Sequence, residues 1–318
     1  MKAMDDRRIL LLLLAGVGPL LCASGALPGV EPGSREAVLA ASHRVHAAEL
    51  ARTNIGLPVR IEADVSEGRV QGDVYGIIDH PFEILRGGLE SASSWCEAVP
   101  LHLNVKSCTH EGSESEGRLA IFSGRKFYER PESAHRMEWS FEVEHSSETF
   151  FEVILESREG PLDTRDYAIR LEAIPVGDRQ SFAHFQYTYR PGVVARVATR
   201  GYLATVARRK SGFSVVGTDD DGNPVYASGI QGAIERNAIR YHLAIQAHLD
   251  TLGSPEPERF ERRIARWFDL TSVYGSRLYE LDRVQYLDIK RRERADQERL
   301  QRALESDDPG LASASLAP

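Results

Sequence analysis

Between residues 99 and 190 the apolar side chains recur at every second position, and no stretch of helical period interrupts them. Leu101, Leu103 and Val105 alternate with His102, Asn104 and Lys106, and Met137, Trp139, Phe141 and Val143 alternate with Glu138, Ser140, Glu142 and Glu144. The same pattern returns at Phe151, Val153 and Leu155, at Tyr167, Ile169 and Leu171, and at Phe185, Tyr187 and Tyr189, with Gly, Pro and Asp clusters between. A period of two puts alternate side chains on opposite faces of a strand, so each segment has one face to bury. About six strands in series without crossover helices can pair only as neighbours, which predicts an antiparallel meander in an α+β protein. Its outer face should be polar and its inner face lined by large apolar and aromatic side chains.

The flanks are helical. Residues 27–33 read as a Pro- and Gly-rich linker, and Ser34 as the cap of a helix (Val38, Ala41, Val45, Ala48, Leu50) ending near Asn54. Two strands follow, Leu57 to Val65 and Arg69 to Ile78, joined at Ser66-Glu67-Gly68. Asp79-His80-Pro81 places a capping side chain just ahead of a helix that Gly87-Gly88 bends before a second short helix at Ser91 to Ala98. After the meander, Val193 to Val206 has helical spacing, and Gly212 to Val216 pairs with Val225 to Ser228 around Asp219-Asp220-Asp221-Gly222-Asn223. That acidic turn is not a calcium loop, because Pro224 stands where the loop glycine must be. The next helix, Gly232 to Thr251, carries Ile234, Ala238, Tyr241, Ile245 and Leu249 as one stripe. The charge-dense segment Glu258 to Glu305 is expected to be a solvated helical extension, with contact to a protein partner or an anionic membrane surface as the alternative, and Ser306 to Pro318 a disordered tail.

The N-terminus reads as a secretory signal peptide. Lys2, Arg7 and Arg8 precede an apolar run from Ile9 to Leu21, and Ser24-Gly25-Ala26 supplies small residues for cleavage after Ala26. That run of about 13 residues spans roughly 20 Å as a helix, short of a hydrocarbon core of about 30 Å. Export to the bacterial periplasm is therefore expected. Cleavage would remove Cys22 and leave two of the three cysteines, Cys96 and Cys108, in an oxidising compartment where an even count suggests a disulfide. A formal net charge of −8 gives no general basic field, so no nucleic-acid partner is expected.

Motifs for chemistry are scarce. The ten histidines form no His-x-x-x-His pair, and no nucleophile elbow, P-loop or dinucleotide fingerprint occurs, so no metal and no cofactor is expected. His102 and Asn104 share a strand face and either meet a ligand or point to solvent. Arg236 and Arg240, one turn apart beside Tyr241, are candidates for a carboxylate or phosphate head group, or else form ordinary ion pairs.

The order of strand, two short helices, long meander and long helix resembles the helix-grip fold of the START-like (SRPBCC) superfamily over residues 69–250. Trp95-Cys96, Leu101 to Cys108, Tyr202-Leu203-Ala204-Thr205 and Glu235-Arg236-Asn237 resemble blocks of a family of exported bacterial proteins. The superfamily resemblance implies a sheet wrapped around the long helix to enclose an apolar cavity for a lipid, sterol or other hydrophobic molecule. It sets a helix-grip domain at residues 57–252, between a linker and helix at 27–56 and an extension at 253–305. Trp139, Phe141, Phe151, Tyr187, Ala238, Tyr241, Ile245, His102, Asn104, Arg236 and Arg240 are then the candidate ligand-binding residues. A binding or carrier protein is the reading this supports, with a cyclase- or hydrolase-type enzyme of the same fold, or a structural envelope protein with a filled core, as alternatives.

Overall fold

The computed structural model describes residues 31, 33–52, 56–66, 68–113, 115–204 and 210–306. The leader expected at residues 1–26 and, apart from Ser306, the tail expected at residues 306–318 lie outside them. Ser34 accepts a hydrogen bond from the Ala37 amide and starts α1, Arg35–Leu50. A hairpin of β1 (Val59–Ser66) and β2 (Arg69–Ile78) leads into α2 (Phe82–Leu89) and α3 (Ala92–Ala98). Six further strands run in series: β3 (Val105–Gly112), β4 (Glu116–Ser123), β5 (His135–Ser146), β6 (Phe151–Glu159), β7 (Arg165–Val176) and β8 (Gln180–Arg190). After α4 (Val193–Ala204) and the ribbon of β9 (Val215–Thr218) and β10 (Pro224–Tyr226) come α5 (Gly229–Asp250), α6 (Glu258–Ser272) and α7 (Arg283–Glu305). None of the described helices is long and apolar enough to cross a membrane.

All eight strands form one antiparallel sheet in the order β1-β2-β8-β7-β6-β5-β4-β3. The last strand of the meander returns beside β2, with Val74 opposite Phe185. Helix α5 buries Ala238, Leu243, Ala244 and Ile245 against Met137, Trp139, Phe141, Phe151, Val153, Leu155 and Phe185 of the sheet, one contiguous core. This is the α+β helix-grip arrangement, an antiparallel meander closed on a long helix. Gly88 lets α2 approach α5: a Cβ there would stand 2.6 Å from Leu249, and the Gly88 carbonyl pairs with His248 Nε2 at 2.9 Å.

Four local expectations are corrected. Leu101 and Leu103 do not begin a strand: residues Val99–Leu101 form a 3₁₀ turn, and β3 starts at Val105. His102 and Asn104 therefore lie in a turn rather than on a strand face. Asp79 does not cap α2 with its side chain, which instead accepts from Gln180. The sheet's second face is not uniformly polar, because α1 covers Phe150, Ile174 and Phe182 at one end and Leu300 of α7 covers Ala120 and Phe122 at the other. The charged C-terminal segment is not simply solvated, since Arg263, Lys290, Glu293 and Gln297 are buried.

Helix α7 docks along the edge strand β3. Gln297 accepts from the Cys108 amide and donates to the Cys96 carbonyl, and Gln301 both accepts from and donates to the His110 backbone. Side-chain amides thus occupy hydrogen-bonding groups that an edge strand otherwise presents to other chains. Cys96 of α3 and Cys108 of β3 form a disulfide with their Cα atoms 5.0 Å apart.

Candidate functional site

A cavity of about 340 Å³ lies between α5 and the sheet. Alternate residues of the strands supply one wall: Ile121 from β4, Met137 and Trp139 from β5, Leu155 from β6, Tyr167 and Ile169 from β7, and Phe185, Tyr187 and Tyr189 from β8. Helix α5 supplies Asn237, Tyr241, Ala244 and Ile245 at the four-residue repeat that aligns side chains on one helical face. Trp95, Ala98 and Val99 close one end, with His102 and Asn104 from the turn before β3.

Six of the candidates from sequence border this space: Trp139, Tyr187, Tyr241, Ile245, His102 and Asn104. Phe141, Phe151 and Ala238 are buried in solid core beside it and do not line it. Arg236 and Arg240 are buried and turned to other partners. Arg236 donates to the carbonyls of Lys210 and Ser211, while Arg240 donates to the Leu278 carbonyl and to Glu280 at 2.8 Å. Glu235, next to Arg236, accepts the backbone amides of Phe213 and Ser214, so this pair anchors the segment leading into β9. Sequence reasoning missed Asn237, Met137, Tyr167, Ile169 and Tyr189 as lining residues. The strand residues among them carried a signal, because they share the alternating face of residues that were chosen. Asn237 carried none.

The polar groups at the wall are uncharged. Among the described lining residues there is no Lys, Arg, Asp, Glu or Cys. His102 is 3% exposed, stacks on Tyr241 with ring centroids 4.7 Å apart, and accepts the Asn104 amide on Nδ1 at 3.1 Å. Its Nε2 is buried, and a side-chain hydrogen bond with Asn237 of α5 acts on the ring in the raising sense. Burial first, then the charges of Arg240, Lys290 and Lys126, hold its pKa well below the usual histidine value, so the ring is neutral at pH 7. The Asn104 side chain donates to the Gly124 carbonyl and is spent on the turn. Trp139 packs edge-on to Tyr167 at 5.7 Å, Tyr167 stacks on Tyr189 at 5.2 Å, and the Trp139 indole nitrogen is also buried without a partner. Burial pushes Tyr241 and Tyr189 up to about 12, so these phenols stay protonated.

Such a site holds apolar molecules better than it transfers protons. A general base needs a free lone pair of suitable basicity, yet the Nδ1 lone pair of His102 is occupied and the ring resists protonation. No group of three or more His, Cys, Asp or Glu side chains among the described residues could hold a metal ion.

No family model matches the chain, and no curated protein does. Solved structures with a similar fold include a conserved protein from Geobacillus kaustophilus at 12% identity and TM-score 0.34, covering 57% of this chain and 95% of that one. The Zhui aromatase/cyclase from Streptomyces sp. R1128 is similar at 7% identity and TM-score 0.36, covering 57% and 94%. Ara h 8.0201 is similar at 9% identity and TM-score 0.32, covering 57% and 98%. At these identities and scores none of the three bears on what this chain binds.

Proposed function

We propose that the protein is an exported binding or carrier protein for a hydrophobic ligand, a lipid, a sterol or a molecule of similar character, and that it belongs to the START-like superfamily. The observation that carries this reading is the cavity of about 340 Å³ between α5 and the sheet, walled mainly by aliphatic and aromatic side chains and, among the described residues, by no charged one. Protein interiors otherwise pack as densely as organic crystals, so a cavity of this size inside the main core forgoes contacts that an apolar ligand restores. The Cys96–Cys108 disulfide supports export, because such bonds persist in oxidising compartments. The reading is tested by solvent extraction and mass spectrometry of the protein purified from its own host. A stoichiometric apolar molecule and a mature chain beginning at Leu27 are expected. A protein that carries none and takes up no apolar probe would refute the carrier reading.

One observation favours a second reading, a cyclase- or hydrolase-type enzyme of the same fold: an imidazole stands at the cavity wall. If it is catalytic, His102→Ala abolishes turnover of a bound substrate while apolar probes still bind. The occupied Nδ1 weighs against it.

A further inference from the structure

We propose that the outer face of α4 docks on an anionic lipid bilayer, with its exposed valines at the acyl boundary and its arginines among the lipid phosphates. The inference goes beyond the binding reading above and stands whether or not the cavity carries a ligand.

Helix α4 presents its apolar residues to the wrong side for a helix that serves only the core. Ala195 is buried and Thr199 half-buried, so the face that carries them meets the protein. At 3.6 residues per turn, Val193, Val194, Val197 and Ala198 fall together on the opposite face. All four are exposed, the three valines each by more than half. Single exposed valines are ordinary, but a whole helical face of them marks an interaction site. Leu162 adds to it. This residue is also more than half exposed, and its backbone is held in the left-handed region at φ 58°, which is rare for a bulky side chain. The two segments are packed together, because a side chain at Gly192 would collide with the Asp163 carbonyl.

The charge beside this face has one sign. From Arg190 to Lys210 the sequence holds six basic residues and no acidic one, in a chain whose formal net charge is −8. Arg190 pairs with Asp166 at 3.4 Å and Lys210 with Glu280 at 2.8 Å. Arg196 and Arg200, one turn apart at the edge of the valine face, are exposed; Arg196 donates to the Pro191 carbonyl, and among the described residues no carboxylate pairs with either. An apolar helical face edged by arginine is the pattern of a helix lying in the plane of a membrane interface, where long cationic side chains reach up to phosphate while the apolar face sinks. A protein partner fits less well, since interface anchors are enriched in tryptophan and tyrosine and poor in valine. The position suits traffic with the cavity. Pro161, next to Leu162, and Tyr189, three positions before Gly192, both line it, so the docking face adjoins the cavity wall.

Co-sedimentation of the full disulfide-bonded chain with vesicles of phosphatidylcholine, and of an equal mixture with phosphatidylglycerol, tests the inference. The mixed vesicles are expected to bind at least about tenfold more tightly, and added salt should reduce that advantage. Arg196→Glu combined with Arg200→Glu should remove the preference for the anionic vesicles, and Val193→Ser combined with Val197→Ser should lower binding to both kinds by about tenfold or more. These side chains are exposed, so thermal unfolding followed by circular dichroism should match the parent. Parent and variants share one N-terminus, and the difference between them reports α4 alone. No binding of the parent to anionic vesicles, or binding unchanged in both variants, would overturn the inference. A dimer in vesicle-free gel filtration that the valine substitutions dissolve would overturn it too, by giving the face to a second copy of the chain. Extraction of the purified protein reads the carrier function separately: a chain that holds no apolar molecule yet binds anionic vesicles through α4 refutes the carrier reading and leaves this inference standing.

Discussion

Replacing Glu293 by alanine removes a carboxylate shared by two buried ammonium groups. Lys106 Nζ lies 2.7 Å from Glu293 Oε1 and Lys290 Nζ 2.7 Å from Oε2, and the three side chains are between 0% and 2% exposed. Every ammonium proton has an acceptor. Lys106 also donates to the carbonyls of Leu103 and Phe127, and Lys290 to those of His102 and Val105. Breaking a buried pair from one side leaves uncompensated charge, which costs about 3–5 kcal/mol; here two cations lose their partner, so the upper end is expected. A loss of that size is a large fraction of the roughly 5–15 kcal/mol that holds a typical domain together. Urea denaturation followed by tryptophan fluorescence should show a lower midpoint with an unchanged slope. Replacing all three groups by Met, Met and Leu should be near neutral, because apolar residues of similar volume often match a buried ion cluster. The penalty is also pH-dependent. Burial has already pushed Lys290 down to about 8, and a depressed lysine contributes stability that is present above its unfolded value of 10.5 and lost as pH falls through the folded one. The alanine variant should therefore recover part of its deficit in alkaline solution. A Glu293→Ala protein within about 1 kcal/mol of its parent at pH 7 would refute the reasoning, since an exposed pair costs no more than that.

Burial alone pushes His242 down to about 4, so its neutral form contributes stability that is present above 6.5 and lost as pH falls through about 4; His242→Leu should flatten this acid limb in denaturation curves taken between those values. His184 behaves in the opposite sense. Burial lowers it, but its bonds to Asp73 at 2.9 Å and Glu172 at 3.1 Å prevail and raise it, so its contribution is full below 6.5 and fades as pH rises through the raised value; His184→Asn should remove that alkaline slope. Phe141 is 1% exposed and off the cavity wall, so Phe141→Trp should overpack the core and cost about 1–3 kcal/mol in unfolding experiments without reducing probe capacity. Intact-mass measurement after alkylation without reductant should show no label at Cys96 or Cys108, and replacing both by alanine should cost about 2–4 kcal/mol.

Where one face of an element is buried and the other is wet, the sequence spoke clearly. In β5, Met137, Trp139 and Phe141 are buried and Glu138, Ser140 and Glu142 exposed, and the period of two is plain. β4 shows why the rule fails elsewhere: Leu119 and Ile121 belong to the core under α5, while Ala120 and Phe122 lie under Leu300 of α7. A strand covered on both faces has no alternation to display. The turn at residues 101–104 failed in the opposite way, alternating in sequence without being a strand. Its even-numbered His102 is as buried as its odd-numbered leucines, because α5 and α7 close on it from different sides. The charge run of α7 read as solvent-facing because its partners are remote: Lys106 and Glu293 are 187 positions apart. Cavity volume has no local sequence signal at all. It depends on the mismatch between α5 and a sheet assembled from eight separate strands, and one methylene on either side changes it.

The C-terminal extension supports the cavity wall from behind, although none of its side chains lines it. The turn that carries His102 and Asn104 is a short irregular segment whose carbonyls must find donors. Tyr286 donates to the Leu101 carbonyl at 3.0 Å, Lys290 to those of His102 and Val105, and Lys106, held by Glu293, to that of Leu103. Two of these three donors, Tyr286 and Lys290, and Glu293, the counter-ion of the third, sit on α7, so the helix fixes the backbone from which His102 projects. Arg240 ties α5 to the link between α6 and α7, through the Leu278 carbonyl and Glu280. A wall segment held this firmly loses little conformational entropy when a ligand arrives. Truncation before Arg283 should accordingly do more than lower stability. It should release the 101–106 turn and weaken uptake of an apolar probe such as 2-isopropylnaphthalene at temperatures where circular dichroism still reports a folded sheet. A truncated protein that stays folded and takes up the probe as tightly as its parent would show that the turn holds its shape without α7.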